Sequence, residues 1–284
     1  MLKKQLIPPK MDIIFQALFK KGNEEITKAL ISSIIGEKIQ KIDLDRNKNL
    51  LREYANEKMG VLDLIAILDD GVICNVEVQL ADNKDIEQRL LFYHSKEYSQ
   101  QMLIGDKYKE LKKTISIAIL DYNLEKLKDM EEAHTKWTIM EDKYRKLKLT
   151  DELEMHILEL PKMRRMRQRG EKSELLDWML FLDNPNDEEV FEIMKTNKEI
   201  EEAMKKLEEI QSDRELMRII DLKRKAIWDE NQAKYAAEVV GMERGIKKGI
   251  KQTAINMLKE KIDIELISKV TGLTKTEIEE LKKD

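Results

Sequence analysis

The chain has 284 residues, 42% hydrophobic and 38% charged, with a formal net charge of −4. That suffices for one large domain or two ordinary ones, and the acidic balance confines any nucleic-acid surface to a local patch. The single cysteine, Cys74, excludes an internal disulfide framework; with no run near the roughly 18 apolar residues of a membrane span, and no signal-type run in "MLKKQLIPPKMD", this predicts a cytoplasmic protein without a membrane partner.

Pro8 and Pro9 close an N-terminal lead. Asp12 then stands as a helix N-cap before "IIFQALFK", and a second helix runs through "EEITKALISSII" to Gly36. The alternation of "EKIQKIDLD" at 37–45 predicts a strand, and "LREYANEKM" a polar loop. Two apolar runs, "GVLDLIAIL" and "VICNVEVQL", flank "DDG" as a hairpin. An amphipathic helix follows over 84–104, stopped by Gly105, then a buried strand over 114–120. "HTKWTIME" and "LEMHILEL" predict two further strands. Past Pro161, "KMRRMRQRG" reads either as a solvated basic linker or as a track for a DNA backbone. From about 171 the pattern is helical, with breaks expected near Asn184-Pro185-Asn186 and around Gly241 to Gly249. The expected division is a mixed α/β domain over 1–162 and a helical region over 163–284, the latter a candidate dimer interface.

The hairpin carries the chemistry. A three-residue "DDG" loop built as a type I turn with Gly71 left-handed sets Leu68 opposite Val72, and each further pair has residue numbers adding to 140. Asp63 then falls opposite Glu77, with Gln79 and Asn75 on the same face, while Leu64, Ala66, Cys74, Val76 and Val78 make the other face apolar. Two carboxylates so close repel unless a cation lies between them. A hard divalent ion such as Mg²⁺ accepts such a pair and suits water activation against a phosphodiester. Pairing of one carboxylate with Lys58 or Arg89, or a solvated sheet edge, answers the same pattern without a metal.

The order αβββαβ, with Asp on one strand and Glu-x-Gln on the next, resembles the PD-(D/E)xK nuclease superfamily, and more closely its Rpn group of recombination-promoting nucleases and transposases. The stretches that carry the resemblance are "PPKMDIIFQALF", "NEKMGVLDLIAILDDGVICNVEVQL", "RLLFYHSKEYSQQMLIGDKYKELKKTISIAIL", "LEMHILELPKM" and the tail from "GMERGIKKGIK". It implies a restriction-endonuclease-like core and Mg²⁺-dependent or other divalent-ion-dependent DNA cleavage. Asp63 and Glu77 match the metal-holding, catalytic carboxylates. Gln79 stands where the superfamily motif has lysine, as it commonly does in the Rpn group. A carboxamide orients water or phosphate through hydrogen bonds but supplies no positive charge.

Around this set, Lys58, Arg89 and Lys96 are the expected DNA-phosphate contacts, with Tyr93 beside them and Asp12 as an accessory acid or a plain N-cap. His94 reads as a surface helix residue, and His94, His134 and His156 lack metal-ligand spacing. "IELISKVTGLTKTEIEELKK" resembles a small helix-turn-helix with Gly272 at its turn, but its Glu-rich second helix suits assembly better than major-groove entry. The expected function is a DNA endonuclease linked to recombination or transposition; the alternative is a non-catalytic DNA-binding or protein-interaction module on a degenerate nuclease core. A transposase in the strict sense is not expected, because no second catalytic system for strand transfer is visible.

Overall fold

The computed structural model describes residues 5–44 and 64–281, apart from the side chains of 216, 223, 224, 226, 227, 230, 231 and 234. The chain divides into two compact units, Met1–Met217 and Arg218–Asp284.

The first unit is built on a mixed sheet of five strands in the order β1-β2-β3-β5-β4. β1 (Leu64–Ile67) and β2 (Ile73–Gln79) form the expected hairpin, paired from Leu64↔Val76 to Ile67↔Ile73, so the register adding to 140 is present. The turn differs from the expectation. Asp70 (φ 56°) and Gly71 (φ 82°) are both left-handed, and Val72 N–H donates to the Asp69 carbonyl at 3.1 Å. Asp-Gly favours this primed geometry because its twist matches the strands. β3 (Thr114–Leu120) is parallel to β2 and to β5 (Leu153–Glu159), and β4 (His134–Trp137) closes the sheet antiparallel to β5. β3, "TISIAIL", is buried at every position, as a central parallel strand covered on both faces must be.

Residues 37–44 do not form the expected strand. A single antiparallel bridge joins Asp43 to Ile67. The Asp69 carboxylate instead accepts the N–H groups of Gln40 (2.7 Å) and Lys41 (2.9 Å), satisfying donors that a longer ladder would have paired.

α1 (Asp12–Leu18) and α2 (Glu24–Ile35, closed by Gly36 at φ 75°) lie where the pattern places them. Asp12 is the first helical residue rather than the cap, its carboxylate accepting the Ile13 N–H at 2.7 Å. α3 (Ile86–Ser99) ends six residues before Gly105. α3 packs across β3, burying Ile86 and Leu90 with Ala118, Leu120 and Ile157.

The expected boundary at 162 is not where the contacts divide the chain. α4 (Leu160–Gln168) continues directly from β5, and it packs on α5 (Glu174–Asp183). α5 and α7 (Lys198–Ser212) pack on α2, and α7 also on α1; α6 (Glu188–Ile193) joins them. The basic segment is therefore a structural helix, not a linker. Lys162 is wholly buried, ion-paired to Glu159 (2.5 Å) and donating to the Leu127 carbonyl (2.6 Å). Arg164 binds Asp121 and Asp183, and Arg167 binds Asp177 and Glu189.

The N-terminal lead is held by two carboxamides acting as a surrogate strand. Asn186 accepts the Leu6 N–H and donates to the Leu6 carbonyl, both at 2.8 Å. Gln211 does the same to Ile7, also at 2.8 Å each way. Lys10 then bridges Asp121 (2.6 Å) and Asp183 (2.8 Å).

In the second unit, α8 (Arg214–Lys259, beginning in the first) passes through Gly241, Gly245 and Gly249 without the expected break. Each helical glycine costs about 1 kcal/mol against alanine, which the strong helix formers between them offset. α9 (Ile264–Thr271), Gly272 (φ 72°) and α10 (Lys275–Glu280) form the expected helix-turn-helix-like tail. Ala254, Ile267 and Ile278 are its core, and Thr274 and Glu277 complete a capping box. No described helix is long and apolar enough to cross a membrane.

Candidate active site

β2 alternates strictly, so Asn75, Glu77 and Gln79 project to the face covered by α3. The parallel register sets Asn75 beside Ser116 and Glu77 beside Ala118 on β3. Glu77 is only 2% exposed, while Gln79 and Arg89 are half-buried. They mark a mouth at the carboxyl end of a parallel pair, where open α/β sheets place ligands.

Two donors converge on one oxygen of Glu77. Gln79 Nε2 donates to Oε1 at 2.8 Å, and Arg89 Nη2 donates to the same atom. Oε2 is buried and takes no hydrogen bond from any described residue. Burial raises the Glu77 pKa above the usual carboxylate range, against the opposing pull of Arg89 and Gln79. Burial alone would lower that of Arg89, but the Glu77 charge and hydrogen bond outweigh it.

Of the residues singled out from sequence, the structure brings Glu77, Gln79 and Arg89 together. Asp63 and Lys58 lie outside the described residues. Tyr93 is buried, in edge contact with Phe92 at 5.5 Å. Lys96 sits half-buried on α3, and Asp12 serves the start of its own helix. Among the described residues no three His, Cys, Asp or Glu side chains gather as a metal set. A single carboxylate with a bare buried oxygen still suits a hard cation as one ligand.

Sequence reading missed two neighbours. Tyr122 follows β3 on the same face; burial, then the charges of Asp82, Asp85 and Glu77, push its phenol up to about 12, so it stays neutral. His94 is fully buried rather than on the surface, its Nδ1 2.9 Å from Ser116 Oγ and its Nε2 without a partner. The β2–β3 pairing that assembles this set joins strands 35 residues or more apart and leaves no local turn signal.

An imidazolium needs two acceptors, and His94 has one, so burial lowers its pKa from 6.5 to about 4. Between those values the unfolded chain binds the extra proton. Stability is therefore complete above pH 6.5 and falls as pH drops towards 4, by up to about 3 kcal/mol from this residue. Urea midpoints measured from pH 7 to pH 4.5 should show a shallower decline for His94→Gln than for wild type; parallel curves would refute the assignment.

A family model described as PD-(D/E)XK nuclease family transposase matches residues 9–237. This chain belongs to that family. No curated protein and no solved structure matches it. The match takes in the whole sheet and α1–α7 and ends within α8. The matched residues include the Glu77-Val78-Gln79 stretch of β2.

Proposed function

We propose that this family member is a DNA endonuclease that hydrolyses phosphodiester bonds with a divalent ion, Mg²⁺ in the first instance, at Glu77 and Asp63. The observation that carries the reading is the one-sided hydrogen bonding of Glu77. Both donors engage Oε1, and Oε2 is left buried and bare at the strand's open end. The β1–β2 ladder reaches Leu64↔Val76, and Asp63 is the next residue of the chain. A Mg²⁺ ion bound there would polarise the phosphodiester and acidify a water. Gln79 fixes the carboxylate's rotamer through Oε1 and leaves Oε2 without a hydrogen bond from any described residue. Arg89 neutralises Glu77 and, half-exposed at the mouth, stands ready to meet phosphate, with Lys58 and Lys96 as further contacts. The C-terminal helices are the assembly element of a homodimer in this reading.

The second reading, a DNA- or protein-binding module on an inactive nuclease core, is favoured by the Arg89–Glu77 pair itself, which supplies internally the cation that Glu77 needs. Nicking of supercoiled plasmid with Mg²⁺ and with EDTA separates the two. Mg²⁺-dependent nicking is expected. Gln79→Lys should still cleave without binding Mg²⁺ more tightly, since its ammonium competes with the ion for Glu77. Gln79→Leu should lose most of the rate while melting like wild type. DNA binding without nicking in any divalent ion would leave the module reading standing.

A further inference from the structure

Between β4 and β5 the chain extends as a small hairpin. Met140 bridges Lys148, Leu149 N–H donates to the Ile139 carbonyl at 3.1 Å, and Glu141 N–H to the Leu147 carbonyl at 2.9 Å. Every residue from 140 to 149 is exposed. The register places Ile139, Leu147 and Leu149 on one face, 38%, 61% and 78% exposed. The tip reads Lys143-Tyr144-Arg145-Lys146. Lys143 stands over the Tyr144 ring at 5.5 Å, and the Glu141 carboxylate is occupied by the Tyr144 N–H. Lys143, Arg145 and Lys146 make no ion pair with a described residue, whereas Lys148 is paired with Asp151.

In α4, Lys162, Arg164 and Arg167 are turned inward to ion-pair partners. At the hairpin tip, by contrast, three cations without an ion pair to a described residue gather around an exposed tyrosine, beside the exposed apolar edge of Ile139, Leu147 and Leu149. We propose that this hairpin is a DNA-engaging finger that seats on the duplex outside the catalytic mouth. The proposal rests on the nuclease reading above for its polyanionic partner. Cations gathered at a tip complement phosphates, and apolar side chains beside them suit minor-groove contact.

Its place in the fold sets its role. Ile157 lies level with Glu77 across the parallel ladders, and the chain from there back to Tyr144 runs towards the opposite end of the sheet. By strand rise the tip lies on the order of 30 Å from Glu77, about nine base pairs along B-DNA. The finger therefore contributes footprint and affinity, and no reacting atom touches it.

The test is fluorescence anisotropy in EDTA with the full chain and a fluorescein-labelled duplex of random sequence. Lys143→Ala, Arg145→Ala and Lys146→Ala combined should weaken binding by about tenfold or more, and the slope of log K against log[salt] should shrink by about 2–3. Tyr144→Ala should weaken binding with the slope unchanged. All four side chains are exposed, so melting temperatures should match wild type. If wild type binds and the triple variant binds equally with the same slope, the finger is wrong and the DNA reading stands. If wild type does not bind DNA, both fall. If Ile139→Thr with Leu147→Thr dissociates a dimer in light scattering while DNA affinity holds, the hairpin is an interface between copies and the proposal is overturned.

Discussion

Glu77→Gln should abolish Mg²⁺-dependent cleavage, by about a thousandfold or more, in a protein that folds and melts as wild type does. The amide oxygen replaces Oε1 and still accepts from Gln79 and Arg89. The amide nitrogen replaces Oε2, and its hydrogens point where a cation would sit. The substitution thus removes the candidate ligand while preserving the packing, which Glu77→Ala would not, because alanine leaves the Arg89 guanidinium without its acceptor. Asp63→Ala should cause a loss of the same order. Wild-type nicking by Glu77→Gln would end the assignment of Glu77 as a metal ligand. Normal nicking by Asp63→Ala alone would leave Glu77 in place and send the search for the second carboxylate elsewhere.

The largest expected effect on stability lies away from this site. Lys162→Met should cost about 3–5 kcal/mol, because Glu159 would remain buried as a charge without its cation. For a unit of this size that lowers Tm by about 6–20 °C. Glu159→Gln combined with Lys162→Met should recover more than half of the loss. The glutamine keeps an oxygen for the Leu124 N–H, which Glu159 Oε1 now accepts at 2.8 Å, and removes the stranded charge. Thermal melts of the single and double variants decide it. A single variant melting within about 2 °C of wild type would mean that the pair contributes little net energy in place.

Those two sites show what the sequence makes legible. The hairpin register was readable because "DDG" fixes the pairing locally, and the alternation of "VICNVEVQ" fixes which side chains share a face. The register held although the turn proved to be of another type, since loop length alone sets Leu68 opposite Val72. Arg89 was identified as a partner of the carboxylates, but also as a phosphate contact; the choice between these depends on how α3 lies on β2 and β3, which no local pattern encodes. The basic run at 161–170 was misread for a related reason. Its charges look solvated in one dimension, but their partners Asp121, Asp177, Asp183 and Glu189 are distributed over three other segments. His94 likewise lies on a helix of mixed polarity, and only the parallel strand pairing brings Ser116 beneath it. The strand expected at 37–45 failed because Asp69, a turn residue of the next hairpin, took the hydrogen bonds that a neighbouring strand would have supplied.

The two carboxamides that hold residues 6 and 7 also set an order in time. Gln211, the partner of Ile7, is made 204 residues after it. At about 5–20 residues per second that is a delay of about 10–40 s. During this interval the lead has no ladder to join, and Lys10 waits likewise for Asp183. The first unit therefore closes from its far end. The sheet and α3 assemble while Ile7 lacks its partner, and the arrival of α7 ties it down. A nascent chain halted before residue 211 should yield the segment Leu6–Lys10 to protease, and one released just beyond it should protect that segment.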